Sequence, residues 1–141
     1  MTGLRSRNKG ANGEREACWI FRNYGFECRR ANSQSRNGAE EPDVVGVEIA
    51  GLRIHVEVKR GKVCRPIEAL NQATRDIEKS GLDIPLALTR CDSGPWHVTL
   101  TFEDLMRLLL AKRVQEVTGE VTTAVERTDV GSQLQNGVGR D

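Results

Sequence analysis

The chain is predicted to fold as a mixed α/β domain in which helices flank a central mixed sheet. Segments with helical periodicity alternate with short apolar segments typical of strands, and Gly or Pro marks most of the junctions between them. The predicted order is a helix, three strands, a second helix, two strands and a third helix, and it contains the pattern αβββαβ. A length of 141 residues with 29% charged residues suits one globular domain.

The first helix is predicted over residues 12–24, after a flexible basic arm at residues 1–10. Its apolar stripe consists of Ala17, Ile20, Phe21 and Tyr24. Gly25 ends the helix. Glu14 lies at the end of the apolar stripe, whereas Glu16 lies on the other side. An inward carboxylate is costly without a partner, so a metal or a basic group is expected beside Glu14.

Three strands are predicted next, over residues 26–31, 44–49 and 52–59. Ala50-Gly51 forms the turn between the second and the third of them. The hairpin brings the start of one strand near the end of the other, although the sequence leaves its register open.

The second half begins with a helix over residues 66–80 that starts at Pro66 and ends before Gly81. Its predicted inward face consists of Ile67, Leu70, Ala73 and Ile77. Strands follow at 84–89 and 96–100. Thr101 caps a last helix that ends near Gln115, with Leu105, Leu108 and Leu109 on its apolar face. We predict a domain over residues 11–118 and a disordered tail over residues 119–141.

The third strand carries the most informative pattern, because apolar and polar residues alternate from residue 53 to 59. Glu57 and Lys59 share its polar face, and Asp43 can complete a cation-binding pair with Glu57. These carboxylates and the Val58 carbonyl are hard oxygen ligands suited to Mg²⁺, with Mn²⁺ as a substitute. Lys59 would position a water or offset charge, and neighbouring cations would favour its neutral form. The pattern predicts phosphodiester hydrolysis, with an ordinary half-solvated strand as the structural alternative.

Basic residues are concentrated around this acidic pair. Residues 1–36 carry eight Lys or Arg and three Glu, whereas the formal net charge of the whole chain is only +1. Such asymmetry suits a polyanion held against a metal, and a solvated basic face is the alternative. The basic residues expected to contact DNA phosphates are Lys9, Arg15, Arg30, Arg36, Arg60 and Lys62.

Other features of the composition narrow the class of protein. The four cysteines form no Cys-x-x-Cys pair and there are only two histidines, which argues against a zinc site and for reduced thiols in a cytoplasmic protein. No run of eighteen apolar residues and no secretory signal is visible, so neither a membrane span nor export is expected.

The order of elements and the polar positions resemble the PD-(D/E)XK nuclease superfamily and, within it, the archaeal-type and phage Holliday junction resolvases. The resemblance spans about residues 8–110. It is carried by Lys9-Gly10-Ala11-Asn12-Gly13-Glu14-Arg15-Glu16, Gly25-Phe26, Arg30, Ser33, Pro42-Asp43-Val44-Val45, Val56-Glu57-Val58-Lys59, Ile84-Pro85 and Gly94-Pro95-Trp96.

The resemblance implies a restriction-endonuclease-like core, a homodimer and a loop near Ser33 that reaches toward the reacting strand. It implies active-site roles for Glu14, Asp43, Glu57 and Lys59, and roles in cleavage or DNA contact for Arg15 and Arg30. The chain departs from the family in its long polar insertion between Ser33 and Asp43 and in its tail after Gly119.

Together these features predict a metal-dependent, structure-selective DNA endonuclease that cleaves four-way junctions, in the cytoplasm or, for a viral protein, in the host cytoplasm. A nuclease of the same fold that acts on other DNA, such as a nickase, a restriction-like or a repair enzyme, is one alternative. A non-catalytic DNA-binding module and an RNA endonuclease are the others.

Overall fold

The computed structural model describes residues 2–32 and 41–135, with side chains for residues 3–4, 7–32 and 41–119. In chain order, its elements are α1 (Thr2–Asn23), β1 (Arg29–Arg30), β2 (Val44–Val45), β3 (Glu48–Ile49), β4 (Leu52–Gly61), α2 (Pro66–Ser80), β5 (Ile84–Cys91), β6 (Trp96–Thr99) and α3 (Phe102–Gln135). The predicted mixed α/β class is confirmed. The strand predicted over 44–49 is divided at Gly46, whose positive φ of 95° ends the pairing of β2.

The sheet is mixed, with the strand order β1-β2-β4-β5-β6 and with β3 paired to the start of β4. β4 and β5 run parallel and are joined through α2, whereas the other neighbouring strands run antiparallel. Val44 pairs with Val56, which fixes the register that the sequence left open. The consequence is that Asp43 reaches the middle of β4.

Both faces of β4 are covered by helices. Its apolar face, with Ile54 and Val56, packs in one core with Ala17 of α1. Its other face lies beneath α2, where Ala69 and Leu70 pack against the neighbouring strand β5. On the polar face of β4, His55 and Glu57 are buried, whereas Lys59 at its end is exposed.

Helix α1 differs from the prediction at its start. It begins at Thr2, so the helix covers residues that were predicted to form a flexible arm. Once a helix is nucleated, each added residue gains a backbone hydrogen bond, and this outweighs the cost of Gly3 and Gly10. The predicted stripe is also wrong at Tyr24, which is 82% exposed because it lies beyond the last helical residue.

The turn and cap signals are confirmed. Ala50 and Gly51 both have positive φ in the hairpin between β3 and β4. Pro66 begins α2, and the left-handed Gly81 ends it by donating its amide to the Ile77 carbonyl at 2.9 Å. At the start of α3, Thr101 Oγ1 accepts from the Asp104 amide at 3.1 Å.

Helix α3 is longer than predicted. It continues past Gln115 to Gln135, and residues 136–141 lie outside the described part. The disorder of the tail over residues 119–141 stays a prediction. No proline interrupts the segment, and helical propagation again favours continuation. Of its predicted apolar face, only Leu108 is buried, while Leu105 and Leu109 are exposed. Among the described residues, no helix is apolar enough over a sufficient length to cross a bilayer.

Candidate active site

Asp43 is tied to β4 through both its backbone and its side chain. Its amide donates to the Val56 carbonyl at 2.9 Å, and its Oδ2 accepts from the Val58 amide at 2.7 Å. Because β2 is only two residues long, its pairing with β4 ends at Val56, and the Asp43 carboxylate bonds the edge of β4 just beyond, at Val58. The short length of β2 thus lets the Asp43 carboxylate bond to the backbone of β4.

Glu57 and Lys59 form an ion pair on the face of β4 that α2 covers. Lys59 Nζ lies 2.6 Å from Glu57 Oε1. Glu57 is only 4% exposed, and burial is the main reason that its pKa is raised. For Lys59, burial opposes the charged form, but the hydrogen bond and the charge of Glu57 outweigh it and the pKa is raised. The expectation that Lys59 is shifted toward its neutral form is therefore wrong.

The two acids of the predicted pair also repel each other. Burial and then the charge of Glu57 raise the pKa of Asp43 to about 7, against the lowering effect of the Val58 amide. The charge of Glu14 raises the pKa values of both acids. The charges of Glu14 and Glu57 therefore both disfavour the ionised form of Asp43.

Glu14 enters this site from α1. Its Oε2 accepts from Arg30 Nε at 2.6 Å, which supplies the basic partner expected for an inward carboxylate. α1 approaches β4 closely because residue 13 is a glycine: a Cβ at Gly13 would lie 3.1 Å from Arg60 Cβ. The small residue brings Glu14 up to the strand that carries Glu57.

A cleft of about 660 Å³ runs over these groups. Its lining residues come from α1, the start of β2, β4 and the loop after β4. They are Lys9, Gly10, Glu14, Asp43, Val58, Lys59, Arg60, Gly61 and Lys62. Three of the four residues predicted to be catalytic, Glu14, Asp43 and Lys59, therefore line the cleft. The fourth, Glu57, is not part of the lining and is joined to it by its ion pair with Lys59.

The donor set fits a hard divalent cation. Asp43 and Glu57 are carboxylates with raised pKa values, and a bound cation would relieve their repulsion. In a strand, the N–H and C=O of one residue point to the same edge. Since the Val58 amide points to Asp43, its carbonyl lies on the cleft edge as well. Oxygen donors of this kind suit Mg²⁺.

Only some of the residues predicted to bind DNA lie at this cleft. Lys9, Arg60 and Lys62 line the cleft, and Arg30 reaches it through Glu14. Arg15 is exposed and bonds Asn12 at 3.2 Å instead. The remaining two, Ser33 and Arg36, lie outside the described residues.

A second network, which the sequence did not indicate, surrounds Glu16. This carboxylate pairs with Arg60 at 3.1 Å and with Arg90, and it accepts from Trp96 Nε1 at 3.0 Å. Arg60 and Arg90 are direct neighbours in the parallel pairing of β4 and β5. Their adjacency depends on the register of distant strands, so no local pattern in the sequence reveals it.

Two further polar residues have positions that the sequence left open. His55 is fully buried between β4 and α2, so it does not reach a phosphate in the cleft. Gln72 lines a groove of about 400 Å³ together with Lys59, and this groove is bordered by the basic side chains of Arg65 and Arg75. The basic surface therefore continues from the cleft across α2.

Comparison with known proteins supports the family resemblance. Residues 5–71 match the family model described as archaeal Holliday junction resolvase (hjc). The match covers α1 through the first residues of α2 and includes all four candidate catalytic residues. It is consistent with a resolvase of the PD-(D/E)XK superfamily. No curated protein matches the chain.

Proposed function

We propose that this chain is a metal-dependent, structure-selective DNA endonuclease that cleaves four-way junctions. The family match over residues 5–71 supports Holliday junction resolvase nuclease activity. The observation that carries the proposal is that Glu14, Asp43 and Lys59 line one cleft with a basic rim, and that Glu57 is bonded to Lys59 there. A module that only bound DNA would have no use for three acids facing a phosphate.

Asp43, Glu57 and the Val58 carbonyl would hold Mg²⁺, with Mn²⁺ as a substitute. When bound, the ion would polarise the phosphate and lower the pKa of an attacking water. The protein contributes rigidity, because Asp43 is fixed by the Val58 amide and Glu57 by Lys59. The catalytic groups therefore stand on a central strand rather than on a loop.

Lys59 would act as a cation. Its bond to Glu57 raises its pKa, so we propose a charge-stabilising role for it and not that of a general base. A partly exposed ammonium at the cleft can donate to a non-bridging phosphate oxygen and offset the charge that develops during cleavage. Glu14, held by Arg30, would orient water at the opposite wall of the cleft.

DNA binding would rest mainly on phosphate contacts from Lys9 and Lys62, both exposed at the cleft, with Arg60 beside them. Contacts of this kind read backbone shape rather than base sequence, and their strength falls as salt rises. We include Arg15, Arg30, Ser33 and Arg36 in the proposed DNA contacts through the family resemblance.

Symmetric resolution of a junction needs two active sites on opposite strands, so we propose a homodimer with two-fold symmetry. We also propose the cytoplasm as its location, or the host cytoplasm for a phage protein. All four cysteines are free, which suits a reducing compartment.

Cleavage of a labelled immobile four-way junction tests this proposal against linear and nicked duplexes of the same sequence. Wild type and Asp43→Asn would be compared with Mg²⁺ and with EDTA. We expect paired symmetric cuts in the junction alone, which require both Mg²⁺ and Asp43. Asn preserves the acceptor for the Val58 amide, so the variant removes charge with little change in shape.

The other outcomes separate the alternatives. Equal cleavage of all substrates would keep the nuclease and overturn junction selectivity. Tight binding without cleavage would favour the non-catalytic module. Full activity of Asp43→Asn would overturn the assignment of the metal ligands.

A further inference from the structure

On the side of β4 that α2 covers, a second group of metal-ligating side chains lies next to the candidate active site. A ring nitrogen of His55 and carboxylate oxygens of Glu57 and Asp76 all lie within 4.8 Å of one another. His55 is fully buried, Glu57 is 4% exposed and Asp76 is half-buried. His55 and Glu57 stand on one face of a central strand, and Asp76 faces them from the helix above.

We propose that His55, Glu57 and Asp76 form a second cation site, for a first-row transition ion such as Zn²⁺ or Mn²⁺, which shares Glu57 with the Mg²⁺ site. The pairing of one imidazole with two carboxylates selects such ions, because Mg²⁺ and Ca²⁺ prefer oxygen donors alone. This site differs from the cysteine-based zinc centre that the sequence argued against.

The surroundings of His55 are those of a metal-binding histidine. Its Nδ1 lies 3.1 Å from Ser80 Oγ, a hydrogen bond that fixes the plane of the ring. In the tautomer that donates from Nδ1 to the Ser80 hydroxyl, Nε2 carries the lone pair that a metal would take. An outer hydrogen bond of this kind orients a ligating imidazole and fixes its tautomer.

The charge balance also favours a cation. Glu57 lies between two other acids, Asp43 on the cleft side and Asp76 on the helix side, and the charge of Asp76 raises the pKa of Glu57. Lys59 pairs with Oε1 of Glu57 at 2.6 Å. An ion held at about 2.0–2.2 Å from each ligand would draw the furthest pair of ligand atoms together by about 1 Å. The half-buried Asp76 side chain at the edge of α2 can make most of that movement.

The chain offers a test without any substitution, because it has only two histidines. His97 is exposed on β6 and serves as the internal control. In the full-length protein labelled with ¹⁵N-histidine, one equivalent of Zn²⁺ should shift the Nε2 resonance of His55 and leave His97 unchanged. Unchanged His55 resonances at saturating Zn²⁺ would overturn the proposal.

A second measurement uses Co²⁺, whose visible absorption reports its coordination. Asp43→Asn disables the neighbouring Mg²⁺ site and should still bind one Co²⁺. Adding Asp76→Asn should weaken Co²⁺ binding by at least about tenfold, as expected for the loss of a ligand. Adding Glu78→Gln, a neutralised exposed acid on the same helix, should leave binding unchanged.

Two results would contradict the site in this titration. Equal Co²⁺ affinity with and without Asp76→Asn would remove Asp76 as a ligand, and displacement of Co²⁺ by an equal concentration of Mg²⁺ would remove the selectivity. Neither measurement reads DNA cleavage. A protein that cleaves no junction can still bind Zn²⁺ here, so failure of this site and failure of the proposed nuclease remain distinguishable.

Discussion

Glu14 and Glu16 stand two residues apart on α1 and have opposite surroundings. Glu16 has three partners, since it pairs with Arg60 and Arg90 and accepts from Trp96. Among the described residues, Arg30 bonds the Glu14 carboxylate, which shares the lining of the cleft with Asp43. The first arrangement satisfies a charge within the protein, whereas the second leaves negative charge for a ligand to satisfy.

The contrast teaches that a partly buried carboxylate is evidence of function only when its surroundings fail to neutralise it. Basic groups balance Glu16, so its network contributes to stability. The acids near Glu14 raise each other's pKa, which is a cost to folding that a bound cation would repay. Two acids of the same type in one helical turn can therefore have different roles.

The largest expected effect is on the rate of junction cleavage, and it distinguishes the role of Glu14 from that of Glu16. Glu14→Gln should slow junction cleavage about 100-fold while it changes the free energy of unfolding by less than about 1 kcal/mol. Glu16→Gln, measured well below its melting temperature, should cleave within about threefold of wild type, because it touches no reacting group. Single-turnover cleavage and urea unfolding of both variants test the contrast. Equal losses of cleavage activity in the two variants would contradict the proposed difference between Glu14 and Glu16.

The next largest effect is the loss of folding stability when Glu16 is neutralised. Glu16→Gln should destabilise the fold by about 1–3 kcal/mol, because Arg60 and Arg90 lose the charge that pairs them. Glu68→Gln is the matched control: its pair with Arg65 is 68% exposed on both sides, and its loss should cost less than about 1 kcal/mol. Urea midpoints at pH 7 provide the comparison, and a cost for Glu68→Gln as large as that for Glu16→Gln would refute the buried network.

The pH dependence of folding stability tests whether neighbouring charges and burial disfavour the ionised form of Asp43. Asp43 has a folded pKa of about 7 against an ordinary value of 3.8, so the folded state binds more protons between these values. Stability that Asp43 contributes at low pH is therefore lost as the pH rises from about 4 to 7. In EDTA, Asp43→Asn should be more stable than wild type by about 1–2 kcal/mol at pH 8, and by much less at pH 4. Thermal unfolding measures this, and an unchanged difference across that range would show that Asp43 is not repelled.

The smallest effect concerns the approach of α1 to β4. Gly13→Ala places a Cβ 3.1 Å from Arg60 Cβ and should cost about 1 kcal/mol as the helix shifts away. Gly10→Ala meets no atom within 4 Å and should instead stabilise α1 by about 0.5–1 kcal/mol. Thermal unfolding of the two variants checks the opposite signs. A stabilising Gly13→Ala would show that this close approach is not needed.

The sequence predicted which residues form the candidate site better than it predicted their surroundings. The alternation in β4 and the hairpin after Ala50 were local signals, and they led to Asp43, Glu57 and Lys59. The burial of Glu57 beneath α2 and the Glu16 network depend on the packing of distant segments, which no local pattern records. The lengths of α1 and α3 were underestimated because weak composition signals do not show where helical propagation stops.

The parallel pairing of β4 with β5 has a consequence for the order of folding. All four candidate catalytic residues lie before residue 71, but the neighbour that flanks β4 on one side arrives only with residues 84–91, after the whole of α2. Contacts between strands so far apart in the chain form slowly, because a long loop must close first. A nascent chain that has emerged only to residue 71 would thus carry all four candidate catalytic residues before the sheet that holds them is complete.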